Sequence, residues 1–156
     1  VAMPWLEGPP LPAIRQDQHG FVEVDDHGAV LGEDAVYAAG DLTSFPVKQG
    51  GIAAQQADAA AEAIAARAGA DLEPTPFRPV LRGILLTGME PRFLRREGEG
   101  SLVDTEPLWW PPAKIVGRFL APFLAEHLGL SASLAERNRR GIPVELELSP
   151  RSVRSG

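Results

Sequence analysis

One short stretch near the start of the chain alternates apolar and polar residues, which predicts a half-buried strand, and a second short stretch can return as its partner strand. Residues 20–25 read GFVEVD and residues 29–31 read AVL, with the turn sequence DHG between them. Such alternation is typical of a strand with one covered face, and turn residues at this spacing join two strands into a hairpin. Residues 35–39, AVYAA, are nearly all apolar, so they predict a short strand covered on both faces of a parallel sheet.

An alanine-rich segment follows and predicts a helix from about residue 51 to residue 67. Four of its residues recur at near-helical spacing, as expected for one packed face. Gly69 is the predicted stop, because glycine readily adopts the left-handed conformation that ends many helices. Small side chains would also let a neighbouring backbone approach closely. The residues at near-helical spacing are Ile52, Gln56, Ala60 and Ile64.

The proline-rich sequence EPTP at residues 73–76 marks a boundary between two regions. Beyond it, residues 80–87 and 92–95 are apolar enough for strands, and the turn sequence GMEP lies between them at 88–91. This pattern predicts a second hairpin. Residues 96–104 are polar and contain glycine and acidic side chains, so we expect a mobile loop there.

Residues 113–128 carry apolar side chains at helical spacing and predict an amphipathic helix. Pro122 lies inside it and should kink or split the helix, because proline lacks the N–H that the hydrogen-bond ladder needs. The tail over residues 131–156 is expected to be partly disordered, with room for a short strand at 144–148.

Composition narrows the function classes for this chain of 156 residues. A net charge of −6 argues against nucleic acid as the main partner, since phosphate binding relies on clustered lysine and arginine. Cysteine is absent, and His19, His27 and His127 show no ligand spacing, so no metal site is expected. No apolar run reaches the roughly 20 residues needed to cross a bilayer. Because the first residue is valine, we expect the chain to begin inside a larger protein.

The candidate site lies where the predicted strand at 35–39 ends and the helix begins. Within roughly a dozen residues, the sequence places the end of a strand, a carboxylate and a helix start whose backbone N–H groups are not covered by side chains. Backbone N–H groups at a helix N-terminus carry partial positive charge, so this combination suits a polar or anionic part of a ligand. The candidate binding residues are Gly40, Asp41, Lys48, Gln49, Gly50 and Gly51.

These residues carry a family resemblance. VYAAGD at 36–41, followed by KQGGIAAQQAD at 48–58, resembles the second FAD-binding segment of the FAD/NAD(P)-dependent pyridine nucleotide oxidoreductases. This group of two-dinucleotide-fold flavoproteins includes ferredoxin reductases, type II NADH dehydrogenases and sulfide:quinone reductases. The resemblance covers residues 1–68 well, and residues 74–124 resemble the C-terminal region of one subgroup less closely.

The resemblance implies a role for each site residue. Gly40 and Asp41 would end the last strand of the FAD sheet, with Asp41 contacting the ribityl and pyrophosphate part of FAD. The helix start would face the pyrimidine edge of the flavin, where backbone N–H groups stabilise the negative charge that reduction leaves. Lys48 either adds a positive charge there or is simply solvated. The residues at this helix start are Lys48, Gln49, Gly50 and Gly51.

The glycine motifs that hold the two dinucleotides in such enzymes are missing. The only comparable sequence, GEG at residues 98–100, lacks a third glycine and opens no helix. We therefore expect a fold of the α/β to α+β class. Residues 1–72 would form the C-terminal part of a Rossmann-like FAD-binding domain, with a hairpin, the last parallel strand and the Ala-rich helix. Residues 73–130 would form a small α+β region, and residues 131–156 would form a tail.

The implied parent is a cytoplasmic FAD-dependent enzyme that takes electrons from NAD(P)H. Its acceptor is either a quinone or a small redox protein, and the isolated chain is expected to be inactive. No residue of this chain is assigned a catalytic role. A homodimer remains open, and contact of helix 113–128 with a membrane surface is the less favoured interpretation, because its polar face carries little positive charge.

A second hypothesis is a non-catalytic oligomerisation or docking module. It rests on the WWPP sequence at 109–112, the amphipathic helix and the arginine-bearing tail. Trp109 and Trp110 either cover the flavin or a quinone, or act as buried or interface anchors, and we favour anchors. Gln55 and Gln56 are interpreted as packing or capping residues rather than catalysts.

Overall fold

The structure, a computed structural model, describes residues 6–109, 118–119, 126–127 and 142–143. The described residues form one long helix and an antiparallel sheet in which each strand pairs with the next along the chain. This is an α+β arrangement. The elements are α1 (Gly50–Arg67), β1 (Val80–Leu85), β2 (Arg92–Glu97), β3 (Gly100–Asp104) and β4 (Ile142–Pro143).

The first predicted hairpin is present, although as single bridges rather than continuous strands. Val24 and Val30 form an antiparallel bridge, and the Asp25 N–H donates to the Ala29 carbonyl at 3.0 Å. The Asp25 carboxylate accepts the N–H groups of His27 and Ala29, both at 2.9 Å, which fixes the turn between the two arms. The hairpin is therefore confirmed, with Val30 among its buried residues.

The predicted strand at residues 35–39 is wrong in both pairing and burial. Tyr37 makes an antiparallel bridge to Ala29, and Val36 leaves 37% of its surface exposed. Ala35 has a φ of 59°, a left-handed conformation that breaks an extended run at its first residue. The segment folds back on the hairpin instead, as the 2.9 Å hydrogen bond from the Ala38 N–H to the Gly28 carbonyl shows.

The alanine-rich helix is confirmed, and it ends just before Gly69, as predicted. Gly69 has a φ of 95°, and its N–H donates to the Ala66 carbonyl at 3.0 Å. The Ala70 N–H donates to the Ala65 carbonyl at 3.0 Å, which completes the Schellman arrangement. These bonds satisfy carbonyls that the last helical turn leaves free.

Small side chains on α1 do allow close approach of the neighbouring backbone. A Cβ built on Gly28 would lie 3.1 Å from the Ala60 Cβ and 3.2 Å from the Ala38 carbonyl oxygen. Any larger residue at either position would separate the hairpin from the helix. Ile52, only 1% exposed, lies in the same buried surface near the start of α1.

The second hairpin is confirmed between β1 and β2, but the predicted mobile loop at 96–104 is wrong. β2 continues to Glu97 and pairs with β3, so most of this polar segment is strand. Gly98 has a φ of 56° at the first position of a two-residue connection, where glycine is favoured because it tolerates positive φ. The glycines that suggested mobility thus make a tight turn.

A small apolar cluster covers one face of this sheet. Phe93, Leu108 and Trp109 are buried in it, and Ile84 and Leu102 pack against them. The rings of Phe93 and Trp109 meet edge to face, with centroids 5.5 Å apart and planes at 72°. Trp109 is 6% exposed, so its interpretation as a buried anchor is confirmed. Trp110 lies outside the described residues.

The predicted helix at 113–128 lies mostly outside the described residues, as do Pro122, the strand expected at 144–148 and most of the tail. Within it, Arg118 and Phe119 form a turn, whereas residues 126–127 are helical. The N–H groups of Arg118 and Phe119 donate to the Asp58 carboxylate on α1. A continuous helix through residues 118–119 is therefore wrong.

Candidate functional site

Gly40 sits in a turn that the first half of α1 holds in place. Its φ is 87°, which favours glycine, and a Cβ there would lie 3.3 Å from the Ala53 Cβ. The Gly40 N–H donates to the Gln56 Oε1 at 2.7 Å. The Gly40 carbonyl accepts both the N–H of Thr43, at 3.0 Å, and the Thr43 hydroxyl, at 2.9 Å. Backbone and side chains together fix this turn.

Thr43 and Gln56 form the buried centre of that arrangement. The Gln56 Nε2 lies 3.2 Å from the Thr43 Oγ1, and Thr43 is completely buried. Thr43 also forms a parallel β-bridge with Val22, shortly before the helix start. Of the two roles predicted for Gln56, packing or capping, the packing role is thus confirmed. Gln55 has a comparable structural role, because its amide exchanges two hydrogen bonds of 2.9 Å with the backbone of Val80.

Lys48 folds back over the turn instead of extending into solvent. Its ammonium donates to the Thr43 carbonyl and lies 3.9 Å from the centre of the Phe21 ring. Loss of solvent lowers the pKa of Lys48, and the negative charges of Asp41 and Asp17 oppose that change. Lys48 therefore places a partly desolvated positive charge between the turn and the helix start, beside the exposed Asp41.

Asp17 is a member of this charged group that sequence reasoning missed. Loss of solvent alone would raise the pKa of Asp17, but hydrogen bonds from the Phe21 and His19 N–H groups, with nearby positive charge from His19 and Lys48, lower it. These bonds measure 2.9 Å and 2.8 Å. The available sequence signal was the DQHG turn at residues 17–20, since aspartate often binds the backbone two residues ahead.

The helix start is open, as the sequence predicts. Gln49 has extended backbone dihedrals, with φ −157° and ψ 135°, and makes no side-chain cap. No acidic residue lies in the first turn. Gly51 and Ile52 are buried, whereas Gly50 is exposed. The start of α1 thus presents backbone N–H groups without a capping side chain, which is the electrostatic condition for binding a negative group.

A cleft of about 380 Å³ separates this helix start from the sheet. Residues 47–49 form one wall, and β1 and β2 form the other. The Gln49 Nε2 donates to the Arg82 carbonyl at 2.7 Å and ties the two walls together. The Gln49 Oε1 is buried and has no hydrogen-bond partner among the described residues. On β1 and β2 the lining includes Leu81, Gly83, Leu94 and Arg96, which the register of the two strands places on one face of the sheet.

The six predicted binding residues fall into three neighbouring pairs. Lys48 and Gln49 line the cleft, while Gly40 and Asp41 belong to the turn on the other side of Lys48. Gly50 and Gly51 form the first residues of α1 between them. Sequence reasoning missed the β1 and β2 residues that line the cleft, because the pattern within a strand does not reveal which strand faces the helix.

No family model matches this chain, and comparisons with curated proteins and with solved structures also find no match. Among the described residues, no helix is long and apolar enough to cross a bilayer.

We expect replacement of Gln56 by Leu to lower the free energy of unfolding by about 1–3 kcal/mol, because the part-buried Gly40 N–H loses its acceptor and the buried Thr43 Oγ1 loses one donor. Hydrogen exchange at the Gly40 amide is the diagnostic measurement. Gln55→Leu is the matched control, since it breaks two hydrogen bonds to Val80 but leaves Gly40 paired. Unchanged Gly40 protection in the Gln56 variant would contradict the assignment.

Proposed function

We propose that this chain is the C-terminal portion of an FAD-dependent NAD(P)H oxidoreductase and contributes one edge of its flavin site. The observation that carries the proposal is the Gly40 turn, held by Gln56 against the uncapped start of α1. The resemblance of residues 36–58 to an FAD-binding segment gives this geometry its interpretation. FAD, when bound, supplies the hydride chemistry.

The residues present suit one polar edge of such a cofactor. Gly50 and Gly51 lack side chains, so a ring can approach the backbone N–H groups at the start of α1. A helix N-terminus stabilises a nearby negative charge by roughly 1 kcal/mol, which corresponds to about 20 mV for a two-electron couple. Lys48 would add to that stabilisation, since its ammonium is already partly removed from water.

Asp41 has a separate role in the proposal. It is exposed on the turn that Gly40 begins, so its carboxylate is free to accept hydrogen bonds from the hydroxyl groups of the ribityl chain. Gly40 carries no side chain and adopts a positive φ, which lets the turn stay close to the helix. The finer fold that we propose is a Rossmann-like arrangement, supported by the parallel bridge between Val22 and Thr43 just before α1.

The visible absorption spectrum of the intact parent protein tests this function. A flavin spectrum that bleaches after addition of NADH or NADPH is the expected result, and the faster of the two reactions identifies the nucleotide. A parent that is colourless and fails to retain added FAD would contradict the proposal.

Replacing Asp41 with Ala in the parent is expected to weaken FAD retention by roughly tenfold to hundredfold, because a hydrogen bond to a charged group contributes roughly 1.5–3 kcal/mol. Equilibrium dialysis against FAD measures the change. Asp71→Ala is the matched control, since Asp71 is equally exposed but lies beyond the C-terminal end of α1. Equal FAD affinity in the Asp41 variant and the native protein would remove Asp41 from the site.

A second candidate is a non-catalytic oligomerisation or docking module. The connection between β1 and β2 favours it, because Leu86 and Met89 are 83% and 86% exposed. The docking hypothesis rested in part on Trp109, but that ring is already buried within the chain. Sedimentation of the chain at high concentration tests this candidate, and a strictly monomeric species would contradict it.

A further inference from the structure

The turn between β1 and β2 exposes apolar side chains where hairpin turns usually have polar ones. Leu85 is 54% exposed, and Leu86 and Met89 are more exposed still. The Thr87 hydroxyl accepts the Met89 N–H at 3.4 Å and donates to the Glu90 carbonyl at 3.0 Å, so hydrogen bonds within the turn fix its shape. A single exposed apolar residue is ordinary, but three in one turn form a patch that another surface would cover.

The register of the strands separates charge between the two faces of the sheet. Successive side chains of a strand point to opposite faces, and paired residues on neighbouring strands share a face. Within β1, β2 and β3, the face that includes Leu85 has arginines as its only charged residues, whereas the other face includes Glu97 and Asp104. We call the first one the Leu85 face. Its apolar and charged residues are Leu81, Leu85, Leu94, Val103, Arg92 and Arg96.

The two arginines of the Leu85 face are available to an anionic partner. Among the residues that the structure describes, neither Arg92 nor Arg96 forms an ion pair. Arg92 is exposed and lies opposite Leu85, directly beside the turn. Glu90 in the turn is also exposed, so these three residues leave one net positive charge next to the apolar patch.

The size of this surface argues against a second protein molecule as the partner. Three strands at the usual spacing and rise give a face of about 300 Å². Residues 47–49 already lie opposite its end beside α1. A stable protein interface buries about 800 Å² on each partner. A lipid surface requires no such area, because a few apolar side chains can enter the interfacial region while cations contact lipid phosphates.

We propose that the β1–β2 turn and the Leu85 face bind the surface of an anionic lipid bilayer. Leu86 and Met89 enter the interfacial region, and Arg92 and Arg96 contact the negatively charged headgroups. Glu90 is repelled by the same headgroups and weakens the attraction. The whole chain has a net charge of −6, but salt limits the reach of a charge to about 8 Å, so the local charge decides the sign of the interaction.

Sedimentation of the 156-residue chain with lipid vesicles tests this proposal. Vesicles of phosphatidylcholine containing about one third phosphatidylserine should bind the chain roughly fivefold more strongly than vesicles of phosphatidylcholine alone, as expected for one net positive charge near an anionic surface. High salt should remove this difference, because it screens the charges but leaves the apolar contact.

Four substitutions separate the apolar contribution from the electrostatic one. Leu86→Ser and Met89→Ser should each lower binding to both kinds of vesicle by roughly fivefold to tenfold, because each removes apolar surface from the turn. Arg92→Gln should lower binding to the anionic vesicles alone by about fivefold, and Glu90→Gln should raise it by a similar factor. Far-ultraviolet circular dichroism checks that each variant is folded.

Leu72→Ser is the matched control, because Leu72 is also an exposed leucine but lies beyond the C-terminal end of α1. A native chain that does not sediment with anionic vesicles, or an equal loss of binding in the Leu72 and Leu86 variants, would overturn the proposal. Self-association that Leu86→Ser abolishes, without vesicle binding, would assign the turn to a protein contact instead. The flavin spectrum of the parent does not depend on these results, so the lipid proposal and the proposed function can fail separately.

Discussion

Replacing Ile52 with Ala is expected to lower the free energy of unfolding by about 2–5 kcal/mol, the range for truncating a large aliphatic side chain in a packed core. Ile52 is 1% exposed and follows directly after Gly50 and Gly51. Its side chain therefore anchors the start of α1, and truncation leaves a cavity that the surrounding backbone can fill only in part. Chemical denaturation followed by far-ultraviolet circular dichroism measures the loss.

Ile64→Ala is the matched control, because the same residue type on the same helix is 47% exposed there. We expect that variant to change the free energy of unfolding by less than about 1 kcal/mol. Similar losses in both variants would contradict the assignment of the buried face. In the parent protein, Ile52→Val should retain more FAD than Ile52→Ala, because it removes a single methylene and leaves the helix start better anchored.

Replacing Trp109 with Ala should lower the free energy of unfolding by about 3–5 kcal/mol, as expected for removal of a buried aromatic side chain. Trp109 packs edge to face on Phe93 and shares its cluster with Leu108, Ile84 and Leu102. The variant removes the largest side chain of that cluster, so the packing of the β1–β2–β3 sheet should loosen. Denaturation monitored by near-ultraviolet circular dichroism measures the loss of aromatic packing.

Trp109→Phe provides the graded comparison, since it keeps an aromatic ring beside Phe93 and should cost less than the Ala variant. Phe119→Ala is the surface control, because Phe119 is 54% exposed. A Trp109→Ala variant as stable as the native chain would show that this ring is not part of the core. It would also restore the original alternatives for Trp109, a cover for the flavin or a quinone, or an interface anchor.

Two buried carboxylates connect α1 to the segment around residue 118. The Asp58 carboxylate accepts the N–H groups of Arg118 and Phe119, and the Arg118 guanidinium pairs with Glu62. Glu62 also accepts the Thr75 N–H at 2.8 Å. Asp58, the last residue of the QQAD portion of the sequence motif, is therefore used for structure, which explains why it is buried.

The local sequence determined the elements whose contacts are short range. The alanine-rich run fixed α1, and Gly69 fixed its end, because helix propensity and the left-handed stop act within a few residues. The open start at Gln49 was also predictable, since no capping side chain or acidic residue occurs there. Both hairpins followed from alternation and turn residues, for the same local reason.

Structure predictions from local composition were wrong where the same residues are compatible with two different local structures. The glycines near residue 98 suit a mobile loop and a tight hairpin turn equally, and pairing with β2 selected the turn. The apolar run at 35–39 suits a buried strand, but the positive φ of Ala35 and the bonds back to the hairpin selected a different path. Strand pairing decided both outcomes, and pairing involves residues distant in the sequence.

Only the tertiary structure brought the cleft together. The hydrogen bond between Gln49 and the Arg82 carbonyl joins residues 33 positions apart, and Arg82 meets Arg95 only through the register of two strands. Periodicity shows which side chains an element can bury, whereas the facing element depends on packing of the whole chain. The sequence by itself therefore determined α1, its open start and the Gly40 turn candidate, and the fold decided which strands lie opposite them.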